Sequence, residues 1–239
     1  MRVYVGFDDT DVAGADRGTG KLARWFAGKL PQGVTMWGAV RQQFPVLEGI
    51  PYTSKNSSAC VILELPDGAS LDGIIDLAAD HIRENYMEGS DPGLCVVPEN
   101  SPAMGPLMDF GRVTSNRIVS QKEALAAVNG EHLSGHGGTN DGIIGAAAGV
   151  GLTYSGWSGR FIEFNDLRQF QTEATVSSLE ASGIRVLSVD RNAMVPGMDD
   201  LVDTRDWVRP RLWGFKPVLP VRNTGLGRWR SLGGKHNME

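Results

Sequence analysis

Three carboxylates, Asp8, Asp9 and Asp11, fall within four positions directly behind a short apolar run, Val3 to Phe7. The run reads as a buried strand, so any fold of this chain must place an acidic turn at the end of a core strand. Carboxylates packed this closely repel one another, and they stay ionised only in water or around a cation. Shortly after, Gly18-Thr19-Gly20-Lys21 opens an amphipathic helix with Leu22, Phe26 and Leu30 at helical spacing. Free backbone N–H groups and the positive end of the helix dipole at such a start suit a phosphate. Side by side, the two features point to a magnesium–nucleotide site. Asp8, Asp9 and Asp11 would be its metal ligands, Thr19 would offer a hydroxyl, and Lys21 a neutralising charge. The bland alternative is a capped loop, with one carboxylate satisfying turn N–H groups and Thr19 capping the helix. Capping needs one carboxylate, not three. The segment is not a Walker A loop, because Ala15 stands where that pattern requires glycine and Leu22 follows the lysine.

A second glycine-dense stretch, Gly135-His136-Gly137-Gly138-Thr139-Asn140-Asp141-Gly142, precedes a helix of small residues. Gly138 to Gly142 form a second candidate anion site, or else a plain connector to a tightly packed helix. His132 and His136 lack an evident third ligand, which argues against zinc. The polar link from Pro51 to Ser58 is either a substrate loop or a solvated connector. Arg209, Arg211, Trp213 and Trp229 mix cations with aromatic rings, a combination that serves base stacking or ordinary core and surface packing.

The chain has 239 residues, 41% of them apolar and 21% charged, which suits a globular protein of one large or two small domains. Its net charge of −5 argues against binding nucleic acid by bulk electrostatics. Cys60 and Cys95 read as buried thiols of a reducing cytoplasm. No signal-peptide pattern or bilayer-length apolar run is present, so a soluble cytoplasmic protein is expected.

Strands are expected at 2–7, 34–40, 59–65, 94–97, 161–164 and 186–189, with paired short strands in 209–221. Helices are expected at 19–30, 71–86, 121–128, 141–152 and 170–182. The Pro-, Gly- and Met-rich segment 98–112 reads as irregular, and residues after about 230 as a tail. The alternation gives an α+β fold.

Read in order, these segments resemble the archaeal isoleucine-tRNA 2-agmatinylcytidine synthetase family, TiaS. The matching pieces are Val5 to Asp11, Gly18 to Ala23, Ile50 to Ala59, Asp91 to Leu94, Gly138 to Ala146, Arg209 to Leu212 and Val218 to Val221. They run collinearly across nearly the whole chain. The resemblance implies a discontinuous kinase-like α/β domain (1–54 and 129–195) with a ferredoxin-like domain alongside (55–128 and 196–230) and a tail at 231–239. It also implies ATP and Mg2+ as cofactors, with ATP cleaved to AMP and pyrophosphate, and a small amine such as agmatine coupled to a tRNA cytidine.

Carried over by position, Asp8, Asp9, Thr10 and Asp11 form the metal–phosphate centre, and Thr19 is the phosphate-accepting threonine. Gly18, Gly20, Lys21 and the segment Gly138, Thr139, Asn140, Asp141 and Gly142 complete the nucleotide pocket. Lys55, Asn56 and Ser57 hold the amine. Gly18-Thr19-Gly20-Lys21 departs from the family's Cys-Thr-Thr, and Lys55 would repel a dicationic amine. The family's OB-fold and zinc ribbon have no counterpart in this sequence, so the ATP chemistry carries over better than the tRNA substrate. Two other readings are a non-catalytic nucleotide or amine sensor, and a stand-alone RNA-binding module.

Overall fold

The computed structural model of the chain describes residues 1–50 and 55–233 and is a mixed α/β structure. It divides into two compact units, Met1–Ser155 and Gly156–Glu239.

The first unit contains β1 (Arg2–Asp8), α1 (Thr19–Trp25), β2 (Thr35–Gln43), β3 (Ser57–Glu64), α2 (Leu71–Asn85), β4 (Gly93–Pro98), α3 (Met104–Thr114), α4 (Gln121–Val128), β5 (His132–Gly135) and α5 (Gly142–Tyr154). Its strands lie in the order β5-β4-β1-β3-β2, all neighbours antiparallel. The apolar run of β1 is central because both of its faces are covered. Strand alternation sends Phe7 towards Phe26 and His81, with ring centroids 5.5 and 6.4 Å away. Gly6 and Asp8 point the other way, onto α5. Gly6 lies between Cys60 of β3 and Cys95 of β4, and both thiols are buried and free.

Small residues let α5 sit directly on the sheet. A Cβ on Gly145 would fall 1.7 Å from Asp8 Oδ2, and one on Gly151 would fall 1.9 Å from the Leu107 carbonyl oxygen of α3. Ser70 caps α2 by accepting from the Gly73 N–H, and a Ser120–Glu123 capping box starts α4.

The second unit contains β6 (Arg160–Glu163), β7 (Glu173–Thr175), α6 (Val176–Ala181), β8 (Arg185–Ser188), β9 (Leu201–Asp203), β10 (Arg211–Trp213), β11 (Lys216–Gly225) and β12 (Arg228–Ser231). The order is β6-β10-β11-β12-β9-β7, with β8 parallel to β11. Trp229 and Leu219 are buried in its core.

Several expected elements differ. The segment taken as irregular at 98–112 holds α3, since Pro106 stands in the first turn, where its missing N–H costs nothing. The helix expected at 19–30 ends at Trp25 and continues as a 3₁₀ turn, Phe26–Lys29. The helix expected at 170–182 shortens to α6, because the Thr175 hydroxyl accepts from the Ser178 N–H and starts it there. Strand β12 occupies the start of the expected tail. The observed units also differ from the division drawn from the sequence: β3 and β4, both inside 55–128, flank β1 in one sheet.

Candidate active site

Strand β1 ends at Asp8, and the backbone turns back at Asp9, whose φ of 47° is left-handed. Aspartate is among the residues that tolerate this conformation. The turn is stapled to the start of α1 by Thr19. The Thr10 N–H and hydroxyl both donate to Thr19 Oγ1, at 3.3 and 3.1 Å. Thr19 in turn donates to Asp11 Oδ1, from its N–H at 3.3 Å and from its hydroxyl at 3.4 Å. Thr10 and Thr19 are buried. Gly18, not Thr19, is the N-cap residue. From below, the buried His81 ring contacts the Leu22 carbonyl at 2.8 Å and ties α2 to α1.

The acidic turn is electrostatically loaded. Burial, and then the neighbouring Asp9, push the Asp8 carboxyl up to about 8. Burial, followed by Asp91, Asp11 and Asp141, pushes Asp9 up to about 6. Both groups release their protons more readily when a cation sits against them.

Asp8, Asp9, Asp11 and Thr19 line one part of a cavity of about 340 Å³. Asp141, Gly142, Ile144 and Gly145 bring in the start of α5, while Phe44, Gly49, Ile50, Lys55, Asn56 and Ser57 come from the β2–β3 connection. Thr114 and the α3–α4 connection, Arg117 to Gln121, complete the lining. The expected residues Pro51 to Ser54 of that β2–β3 link lie outside the described residues. A volume of this size is in the range that small-molecule ligands occupy.

Other expected residues lie elsewhere. Gly18, Gly20 and Lys21 are not part of the lining, and the Lys21 ammonium donates to the Asp16 carbonyl at 2.8 Å. The cations that do line the cavity are Lys55 and Arg117, the latter paired with Glu123 at 2.6 Å. The expected anion cradle at Gly138 to Asp141 already holds an anion of its own. The Asp91 carboxylate accepts from the N–H groups of Thr139, Asn140 and Asp141, at 3.0, 2.6 and 3.1 Å, and from the Thr139 hydroxyl at 2.5 Å. Those amides are therefore committed, and the segment meets the cavity through Asp141 and Gly142. Asn56 donates to the Pro45 carbonyl at 2.9 Å, and the Ser57 hydroxyl accepts from Arg41, so both fasten the foot of their loop.

Arg117, Ser120, Gln121 and Asp91 are not among the site residues expected from the sequence. Gln121 donates to Asp141 Oδ1 at 2.6 Å and to the Thr139 carbonyl at 2.8 Å, bracing the cavity edge. The Ser120-to-Glu123 capping pattern is the one signal in that stretch, and it marks a helix start rather than a site. Among the described residues, no three His, Cys, Asp or Glu side chains are grouped to hold a metal ion by themselves. His132 and His136 each contact the Ser134 hydroxyl at 2.9 Å.

No protein-family model matches the chain, and no curated protein sequence does. Solved structures do resemble it. A tRNA fluorescent labeling enzyme is 27% identical with a TM-score of 0.53, over 63% of this chain and 36% of its own. Apo TiaS, a tRNA agmatidine synthetase, is 26% identical with a TM-score of 0.51, over 63% and 35%. TiaS in complex with its tRNA and ATP is 25% identical with a TM-score of 0.53, over 63% and 36%. The matched part of this chain thus spans about a third of the length of these neighbours.

Proposed function

We propose that this chain is an ATP-using enzyme of the tRNA-modifying class that activates its acceptor by phosphoryl transfer, in the manner of the TiaS structures it resembles. The observation that carries the reading is the Thr19 hydroxyl, which accepts from Thr10 and donates to Asp11 at the wall of a ligand-sized cavity. Two donors on the threonine oxygen leave its own proton directed at the Asp11 carboxylate. Asp11 is thus placed to take that proton as the oxygen bonds a phosphorus of ATP and the bond from that phosphorus to its bridging oxygen breaks, the other fragment of ATP leaving with the electron pair. Such catalysis rests mainly on positioning and charge stabilisation.

Asp8 and Asp9 suit magnesium, which takes one or two carboxylates and completes its shell with water and phosphate oxygens. When bound there, the ion would neutralise phosphate charge. Lys55 and Arg117 supply fixed positive charge in the same cavity, and the apolar side chains of Phe44, Ile50 and Ile144 give a base or an alkyl amine somewhere to pack. The complex of TiaS with its tRNA, AMPCPP and agmatine, 26% identical with a TM-score of 0.51, supports a nucleotide and an amine as co-substrates. The kinase-like and ferredoxin-like organisation and the tRNA cytidine acceptor belong to the same proposal.

Product analysis with labelled ATP and magnesium, with and without agmatine and tRNA, tests it. AMP and pyrophosphate are the expected products, and Asp9→Asn should lower their formation by about a thousandfold with thermal stability kept or raised. ATP binding without turnover in any mixture would make the chain a sensor and end the enzymatic reading.

A further inference from the structure

In the second unit, two arginines face each other across a pair of strands. Arg160 on β6 and Arg211 on β10 are directly opposed across the antiparallel pair, a placement that costs stability for like charges. Four other arginines of this unit have a carboxylate: Arg168 with Glu163, Arg185 with Glu180, Arg228 with Glu173 and Arg230 with Asp203. Among the described residues neither Arg160 nor Arg211 has an ion pair. The Arg211 guanidinium lies 5.3 Å from the centre of the Trp213 ring, and its Nε is buried with no hydrogen-bond partner. Burial, and then Arg160, lower the pKa of Arg211. A stacked guanidinium keeps its N–H edge available for two parallel bonds to a phosphate. An anion between the two arginines would replace their repulsion with attraction.

The chain next to this pair shows what kind of anion. The turn from β10 to β11 has φ of +59° at Gly214 and +61° at Phe215. This is the geometry of a tight two-residue hairpin, and it is strained for a bulky side chain. The Phe215 ring is 57% exposed at the hairpin tip and Trp157 is 68% exposed. Both are held near glycine: a Cβ on Gly156 would lie 2.4 Å from the Phe215 ring, and one on Gly214 would lie 3.7 Å from Trp157. Unneutralised arginines beside exposed rings are the chemistry that grips a single strand, with phosphates on the cations and bases on the rings.

We propose that Arg160 and Arg211 clasp a backbone phosphate of single-stranded RNA, with an adjoining base stacked on Phe215. The proposal deepens the tRNA part of the function proposed above but involves no ATP, so either can fail while the other stands.

The test is titration of the full chain into a labelled single-stranded RNA oligonucleotide, without ATP or magnesium, over a series of salt concentrations. Arg160→Gln and Arg211→Gln should each weaken binding by about tenfold and flatten the slope of log K against log salt by about 0.7. Arg211→Lys should not restore the wild-type affinity. Phe215→Asn, a residue that tolerates the left-handed turn, should weaken binding by about tenfold with the salt slope unchanged. Each arginine variant should melt at or above the wild-type temperature, since one of two repelling charges is gone. A fall in melting temperature would make the pair structural and overturn the proposal, as would unchanged salt slopes. Inorganic phosphate raising the melting temperature while RNA fails to bind would overturn it in favour of a small-anion site.

Discussion

Asp91 shows how one side chain can settle the use of a whole loop. Its carboxylate takes three successive backbone N–H groups and the Thr139 hydroxyl at the entrance to α5. The sequence makes this glycine-dense entrance look like a phosphate cradle, yet its donors are already paired within the chain. Asp91→Ala would orphan them, and a cost of about 2 kcal/mol is expected from lost charge-assisted bonds at a helix start. Urea midpoints of the two proteins would measure it; an equal midpoint would mean that water replaces the carboxylate without loss. Cations can be sorted in the same way. Lys21 is turned to the Asp16 carbonyl, whereas Arg117 lines the cavity. Arg117→Ala should therefore raise the KM for ATP by about tenfold, and Lys21→Ala should leave it within about twofold. Equal effects, or a reversed order, would return the neutralising role to Lys21.

Among the elements, α5 determines how close the others can come. Gly151 lies against the Leu107 carbonyl of α3, so an added methyl meets backbone rather than a side chain that could swing aside. Gly151→Ala should destabilise the protein by about 3 kcal/mol. Gly105, in the first turn of α3, has nothing within 4 Å of an added Cβ. There the same change should stabilise by about 0.5 kcal/mol by restricting the unfolded chain. Thermal melts of both variants separate close packing from intrinsic propensity, and two equal shifts would refute the packing argument. The contrast also shows which elements could be read in advance. Strand β1 and helix α2 carry their periodicity in contiguous residues, and their sequence spans match the structure to within a residue or two. Helix α3 is hidden in the sequence because Gly105, Pro106 and Gly111 read as breakers. Gly111 is in fact required where α3 meets α5, with a Cβ there 2.8 Å from Leu152. Strand β5 is four half-buried residues at a sheet edge, too short for a period to show. The acidic turn and Thr19 are legible because they are near neighbours in sequence. Arg117, Gln121 and Asp91 reach the site only through the tertiary fold.

At the scale of the whole molecule, the titrating groups set two opposing limits on stability. Asp8 keeps its proton up to about pH 8 in the folded chain, while an unfolded aspartate loses it near about pH 4. Between those values the folded state binds more protons than the unfolded, so stability falls as pH rises across that window. Asp9 adds the same sign up to about pH 6. The histidines act the other way. Burial lowers the pKa of His81, His132 and His136, so below about pH 6.5 the unfolded imidazoles gain protons that the folded ones refuse. Stability supplied by the neutral rings is present above that pH and is lost as pH falls. From about pH 6.5 to 8 only Asp8 among these groups still titrates, and the ligand-free protein should weaken steadily. Below about pH 6.5 the histidines oppose the two aspartates and the curve should flatten or turn over. Asp8→Asn should therefore abolish the decline between about pH 6.5 and 8 while leaving the histidine contribution below it in place. Urea unfolding of both proteins across this range measures the difference. Parallel curves above pH 6.5 would show that the Asp8 carboxyl is already ionised in the folded chain and has no need of a cation.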